Sequence, residues 1–186
     1  MYKTFFFLIF ISISSLSAQN ENKWMLDGEK SLIEYSAKHL LHAWSGVNND
    51  VKGVFLEDSK SKIAISANIA DFDSGISNRD SNAIRVLNAL NFPSVKFFSD
   101  EILISSDTIE LNGELDFHGK KINKIVKASY IKGIDNLTIE GDFSIVLTDF
   151  VRQIVTLQHS RHFKGRIRSF LSDNYIKQRQ GSQCYY

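Results

Sequence analysis

Strict alternation of apolar and polar residues constrains this chain more than any other feature. Over residues 109 to 117, Ile109, Leu111, Gly113, Leu115 and Phe117 alternate with Glu110, Asn112, Glu114 and Asp116. Over 137 to 147 the same rhythm puts Leu137, Ile139, Gly141, Phe143, Ile145 and Leu147 on one face. Shorter runs repeat it: Ser31, Ile33, Tyr35 and Ala37; Ile63, Ile65, Ala67 and Ile69; Val95 and Phe97. A period of two sends one set of side chains toward an apolar interior and the other toward water. Clusters rich in Asn, Asp, Ser and Gly separate the runs at 48–50, 57–59, 105–107, 118–119 and 133–136, and these are turn signals. Many half-buried antiparallel strands on short turns predict an all-β sandwich or closed barrel.

One segment departs from this rhythm. Ile84, Leu87 and Leu90 fall three apart, with Val86 beside them, which predicts a short amphipathic helix over about 81–92. Asp80 or Ser81 is placed to cap its start, and Pro93 lies just past its end. A single helix inserted in a β meander can cover an open end of a barrel.

The first 18 residues read as an address. A lysine, an apolar run from Phe5 to Leu16 and a small pair, Ser17-Ala18, match a secretory signal peptide cleaved after Ala18. The run is short of the ~20 residues that a membrane span needs, although a retained anchor helix is the alternative. The mature chain is expected to be soluble and periplasmic or secreted, with no transmembrane span. A single cysteine, Cys184, excludes an internal disulfide and a cysteine zinc cluster. The fold must then be held by its core, and 186 residues at 43% hydrophobic content suffice for one domain with a sizeable core.

The net charge of +1 argues against nucleic acid as the main partner, but it hides an asymmetry. Residues 151–186 hold seven Lys or Arg and one acid, Asp173, so a tail of +6 follows a body of −5. Such a tail is either a solvated extension or an attachment site for anionic lipid or envelope polymer. No Gly-x-Ser-x-Gly, phosphate-cradling loop or His-Glu-x-x-His motif is present. His39, His42 and His118 could hold zinc only if the fold brought them together, and nothing in their spacing demands it. No metal is expected.

More specific pieces stand in a fixed order. They are Trp24-x-Leu26-Asp27, then Lys38-His39-Leu40-Leu41-His42-x-Trp44-x-Gly46, then the Asn78-Arg79-Asp80 turn and the Asn91-Phe92-Pro93 helix exit. Phe117-His118-Gly119 and Leu147-Thr148-Asp149-Phe150 follow. In order and spacing this resembles the YceI-like family of exported bacterial proteins over about residues 24–150. The resemblance implies a lipocalin-like antiparallel β-barrel of about eight strands with an elongated apolar channel. It also implies periplasmic binding or transport of a long isoprenoid, an association with stress, and no catalytic activity. No cofactor is expected beyond such a bound isoprenoid or other long-chain lipid, and a homodimer is left open.

Face parity puts Ile33, Tyr35, Ile65, Phe97, Leu111, Leu115, Phe143 and Ile145 in the expected channel lining. Small residues on inward faces, Ala37, Ala67, Gly113 and Gly141, either leave room for a ligand or relieve crowding where the barrel bends. A polar head group would need a few polar partners at one end. His39, His42 and Arg79 are the candidates, although Arg79 has a plainer role in fixing its own turn beside Asp73 and Asp80.

The resemblance stops after Phe150, where relatives continue with an Arg-Pro-Ser-Leu-like segment that this chain lacks. Motif, charge and alternation all change there. The coincidence suggests a barrel domain of residues 19–150 followed by an atypical tail of 151–186 that is out of frame. A barrel without its last strand would have an unpaired edge. The leading functional expectation is an exported carrier that holds a long apolar lipid for transport or storage in the envelope. The alternatives are a metal-dependent enzyme built on the histidines and an envelope-interaction protein using the basic tail.

Overall fold

The computed structural model describes residues 22–39, 42–146, 150, 162–164 and 170–172. The expected signal peptide, most of the basic tail and Cys184 lie outside the described residues. The described strands are β1 (Asn22–Leu26), β2 (Ile33–His39), β3 (His42–Asn48), β4 (Val51–Glu57), β5 (Lys62–Asn68) and β6 (Ser94–Ser105). They continue with β7 (Thr108–Phe117), β8 (Lys120–Lys132), β9 (Asn136–Gly141), β10 (Ser144–Val146), β11 (His162–Lys164) and β12 (Phe170–Ser172). A short 3-10 turn (Ile69–Asp71) and one α-helix, α1 (Ser77–Val86), lie between β5 and β6.

Eight strands form a closed antiparallel barrel in the order β1-β12-β9-β8-β7-β6-β5-β4, with β1 returning to β4. The alternation read from sequence is what closes it. Ile63, Ile65 and Ala67 of β5 and Ile109, Leu111, Leu115 and Phe117 of β7 are all buried. Charged neighbours face out, where Lys121 pairs with Glu114 at 2.7 Å and Lys127 with Glu110 at 3.1 Å. Exposed pairs of this kind add little stability, so the wall is held by its ladders and its inner face. β12 lies beyond residue 150, where the domain was expected to end, and it fills the place between β1 and β9. The unpaired edge expected of a missing last strand is not what the described backbone shows.

Two further departures matter for the site. The run over 137–147 is not one strand: it breaks at Asp142-Phe143 into β9 and β10, and β10 pairs with β11 outside the barrel ring. Because β9 pairs only with residues 128–132 of β8, residues 120–127 have no ladder partner on that side among the described strands. β8 itself was not read as a strand from sequence. Its inward positions Ile122, Lys124, Val126, Ala128 and Tyr130 include a lysine, which spoils the apolar rhythm.

The helix starts earlier and ends earlier than expected. It runs from Ser77 to Val86 with no side-chain cap. Asp80 instead reaches back to accept from the Ser74 hydroxyl at 2.6 Å. Asn88 stops the helix with φ 47°. The Ala89 N–H then bonds to the Ile84 carbonyl and the Asn88 N–H to the Arg85 carbonyl, the pairing that terminates helices on a left-handed residue. Leu90, expected on the packed face, is 93% exposed, and Ala89 is buried in its stead.

Two apolar clusters fill the interior. Trp24, Phe55, Ile63, Ile109, Leu137 and their neighbours form the larger one. The smaller contains Leu115, Phe117, Ile145 and Phe150, with Ile84 of α1 and Leu87 just past its end packed against it. The helix therefore does cover one end of the barrel. The β7–β8 hairpin at that end turns through two residues, His118 (φ 54°) and Gly119 (φ 71°). Both are left-handed, as tight hairpins prefer. Phe92 stacks on His118 with ring centroids 4.5 Å apart, and a Cβ on Gly119 would fall 2.6 Å from the Phe92 ring. Gly119→Ala should therefore cost about 1–2 kcal/mol from backbone strain, read as a lowered urea midpoint with unchanged slope.

Candidate functional site

Between the two clusters lies a cavity of about 80 Å³. Six of the eight residues expected in a channel line it: Ile33, Ile65, Phe97, Leu111, Leu115 and Phe143. Parity along the strands was enough to find them. Ile63, Val95 and Ile139 also line it, as do Val126, Ala128 and Gly141 at the β8–β9 seam. The only charged side chains on the wall among the described residues are Lys96 and Lys124.

Tyr35 and Ile145 are not in the lining and correct the expectation. Tyr35 lies edge-on to Phe72 with centroids 5.7 Å apart, and its ring covers Gly46. Burial, then the Asp80 carboxylate, push its hydroxyl above the usual tyrosine range. Ile145 sits in the smaller apolar cluster, because the break before β10 carries it off the cavity wall. Gly113 does relieve crowding: a Cβ there would fall 2.7 Å from the Phe97 ring. Next to it a bulge between Ser99 and Glu101 shifts the register of β6 on β7. The buried Ser99 hydroxyl donates to the Asn112 carbonyl at 2.7 Å across that irregularity. Ala67 is packed in the larger cluster, whereas Gly141 does border the free space.

Of the expected head-group residues, Arg79 is elsewhere. Arg79 lies over the Trp44 ring, 5.8 Å from its centroid, and so ties α1 to β3 rather than facing the cavity. His39 and His42 are cross-strand partners beside the β2–β3 turn, and their side chains lie outside the described residues. His118 is stacked on Phe92 at the β7–β8 turn. Among the described residues no three metal-ligating side chains gather.

The end of the barrel away from the helix is shut by a polar clamp. Glu57 accepts from Trp24 Nε1 at 3.0 Å, from the Tyr130 hydroxyl at 3.2 Å and from Lys132 Nζ at 2.6 Å. These groups come from β1, β4 and β8, so the clamp spans the barrel. Burial pushes the Glu57 carboxyl up, but the bonds from Lys132, Trp24 and Tyr130 outweigh it and hold the group below its ordinary 4.5. Burial, then the Glu57 charge, push the Tyr130 hydroxyl up to about 12.

Fold and cavity together define a class: small antiparallel barrels that enclose apolar space instead of filling it. The YceI-like domain matches residues 24–172, and the chain belongs to that family. The match runs past the boundary expected at 150. A UPF0312 protein of Pectobacterium atrosepticum is 31% identical over 121 residues, covering 61% of this chain and 61% of its own length. A UPF0312 protein of Pseudomonas aeruginosa is 28% identical, covering 67% and 72%. Among solved structures, Burkholderia cenocepacia BcnA superposes with a TM-score of 0.71 at 15% identity, covering 77% of this chain and 98% of that one. A domain from Saccharophagus degradans described as polyisoprenoid binding superposes with a TM-score of 0.64 at 9% identity, covering 82% and 99%. At these identities the superpositions establish the fold.

The clamp sets a pH dependence. Glu57 is depressed in the folded state, so its contribution to stability is present above about pH 4.5 and is lost as pH falls through its lower folded value. Tyr130 is raised, so its contribution is complete below pH 10 and is lost as pH rises toward about 12. Glu57→Gln should melt lower than the parent at pH 7, with the gap narrowing below pH 4.5. Tyr130→Phe should flatten the alkaline limb of the melting curve. A gap for Glu57→Gln that stays constant from pH 3 to 7 would contradict the clamp.

Proposed function

We propose that this protein is an exported carrier that holds a long apolar lipid chain, of polyisoprenoid type, in the barrel cavity for transport or storage in the bacterial envelope. The observation that carries the reading is the lining. A cavity in a closed barrel, walled by Ile, Leu, Val and Phe, offers a branched apolar chain what it needs and gives a polar substrate almost nothing. Burying apolar surface contributes about 25 cal/mol per Å², so shape and area suffice for affinity. The described Saccharophagus domain, of the same fold, supports the reading. The apolar segment at residues 5–16 supports export to the periplasm or beyond.

The free space is small beside the ~300 Å³ typical of small-molecule sites. A long chain must therefore displace lining side chains, and the half-buried Ile33, Phe97 and Phe143 are among those with room to move.

Native mass spectrometry of the protein recovered from a bacterial periplasm, followed by organic extraction, tests this directly. A long-chain apolar lipid at about one per chain is expected. Val126→Trp, which fills the cavity from β8, should reduce that occupancy at least tenfold while the protein still folds, at an overpacking cost of about 1–3 kcal/mol. A folded parent that carries no lipid and takes none up from vesicles would reject the reading.

A further inference from the structure

Lys124 stands where the barrel would be expected to place an apolar residue. It follows Ile122 and precedes Val126 on the inward face of β8, is half-buried, and lines the cavity. Its neighbours on the outward face are exposed, including Ile125 at 55%, so the face assignment is not reversed by a slip in register. The ladder gives the same answer: Lys124 is opposite Gly113, and Leu111 and Leu115 on either side of that glycine are buried. Among the described residues no carboxylate pairs with Lys124 and no hydrogen bond to it is present. Other lysines of β8 differ: Lys121 and Lys127 on the outer wall, and Lys132 in the clamp, each hold a glutamate within 3.1 Å.

The place is special in a second way. Lys124 lies in the stretch of β8, 120–127, that no described strand pairs with on the β9 side, and Phe143 in the break between β9 and β10 lines the same cavity. The far end is shut by the Glu57 clamp and the near end by α1. Among the described strands, the seam between β8 and the β9–β10 break is therefore a stretch of wall without ladder bonds to open. An ammonium at that seam, with an apolar interior behind it, matches an amphiphile whose chain enters first and whose charged end stops at the wall.

We propose that Lys124 anchors an oxyanion head group, so that the preferred ligand is a single long apolar chain ending in a carboxylate or phosphate rather than in a neutral alcohol. This rests on the lipid-binding reading above and names the ligand class. The ammonium is costly to leave beside apolar walls, and an oxyanion offers it a charge-assisted hydrogen bond. The aliphatic stem of the lysine completes the wall whatever the head.

The test compares probes of one chain length with three heads: farnesol, farnesyl phosphate and farnesoic acid. Binding is read by calorimetric titration on the full-length secreted protein stripped of lipid. The parent should prefer the two anions over farnesol by about tenfold or more. Lys124→Met, which keeps the stem and removes the charge, should abolish that preference by weakening binding of both anions about tenfold or more. Lys124→Arg should restore it, and all three proteins should melt within a few degrees of one another. Tighter phosphate than carboxylate binding in the parent would assign a phosphate head; the reverse would assign a fatty-acid-like one. Equal binding of farnesol and the anions to the parent, or a preference that survives in Lys124→Met, overturns the anchor while leaving the lipid reading intact. Binding of none of the probes, with farnesol included, overturns both.

Discussion

The five residues of β1 hold the architecture together. Strands β4 to β9 form a continuous meander, and such a sheet has two open edges until something joins them. β1 does so by pairing with β4 on one side and β12 on the other. Its central residue, Trp24, is buried and donates to Glu57 of β4, which also accepts from Tyr130 of β8. One carboxylate thus links closure of the ring to its far wall. The apolar interior follows from this closure, because a rolled sheet shields one face of every strand at once.

The ring is not equally complete along its length. Near the clamp, β1 pairs with both β4 and β12, and β9 with both β8 and β12. Near the helix, β9 has already ended, β10 has left the ring to pair with β11, and among the described strands residues 120–127 of β8 are paired only with β7. Side-chain packing from α1, Phe143 and Ile145 takes over where ladder bonds stop. The cavity lies at this change from hydrogen-bonded wall to packed wall. A binding site for a long chain is well placed there, since moving side chains costs less than breaking a ladder.

Much of this was legible in the chain itself. The alternation over 63–69 and 109–117 named the buried faces, and six of the eight residues chosen by parity do border the cavity. The misses have physical causes. Ile145 follows a break that alternation cannot reveal, because Leu137 to Leu147 keeps its rhythm through Asp142-Phe143 while the backbone changes partner. The expected helix runs to about residue 92, just before Pro93, but Asn88 adopts the left-handed conformation first, and local hydrogen bonds end the helix there. Arg79 went to the face of Trp44, a residue 35 positions away, which no local pattern specifies. β8 escaped notice because an inward lysine broke the pattern that marks a strand.

The sequence by itself determined the class of fold and the apolar character of its interior, because period-two hydrophobicity leaves a strand one way to hide its apolar face. Only the tertiary structure decided which strands meet and where the wall thins. It also decided that Lys124 faces inward, while Arg79, expected at a head-group end, lies over Trp44. Those are matters of pairing between distant segments, and register across a ladder is set by the partner as much as by the strand. A lysine in a strand reads as solvent-facing until the neighbouring ladder shows which way it points.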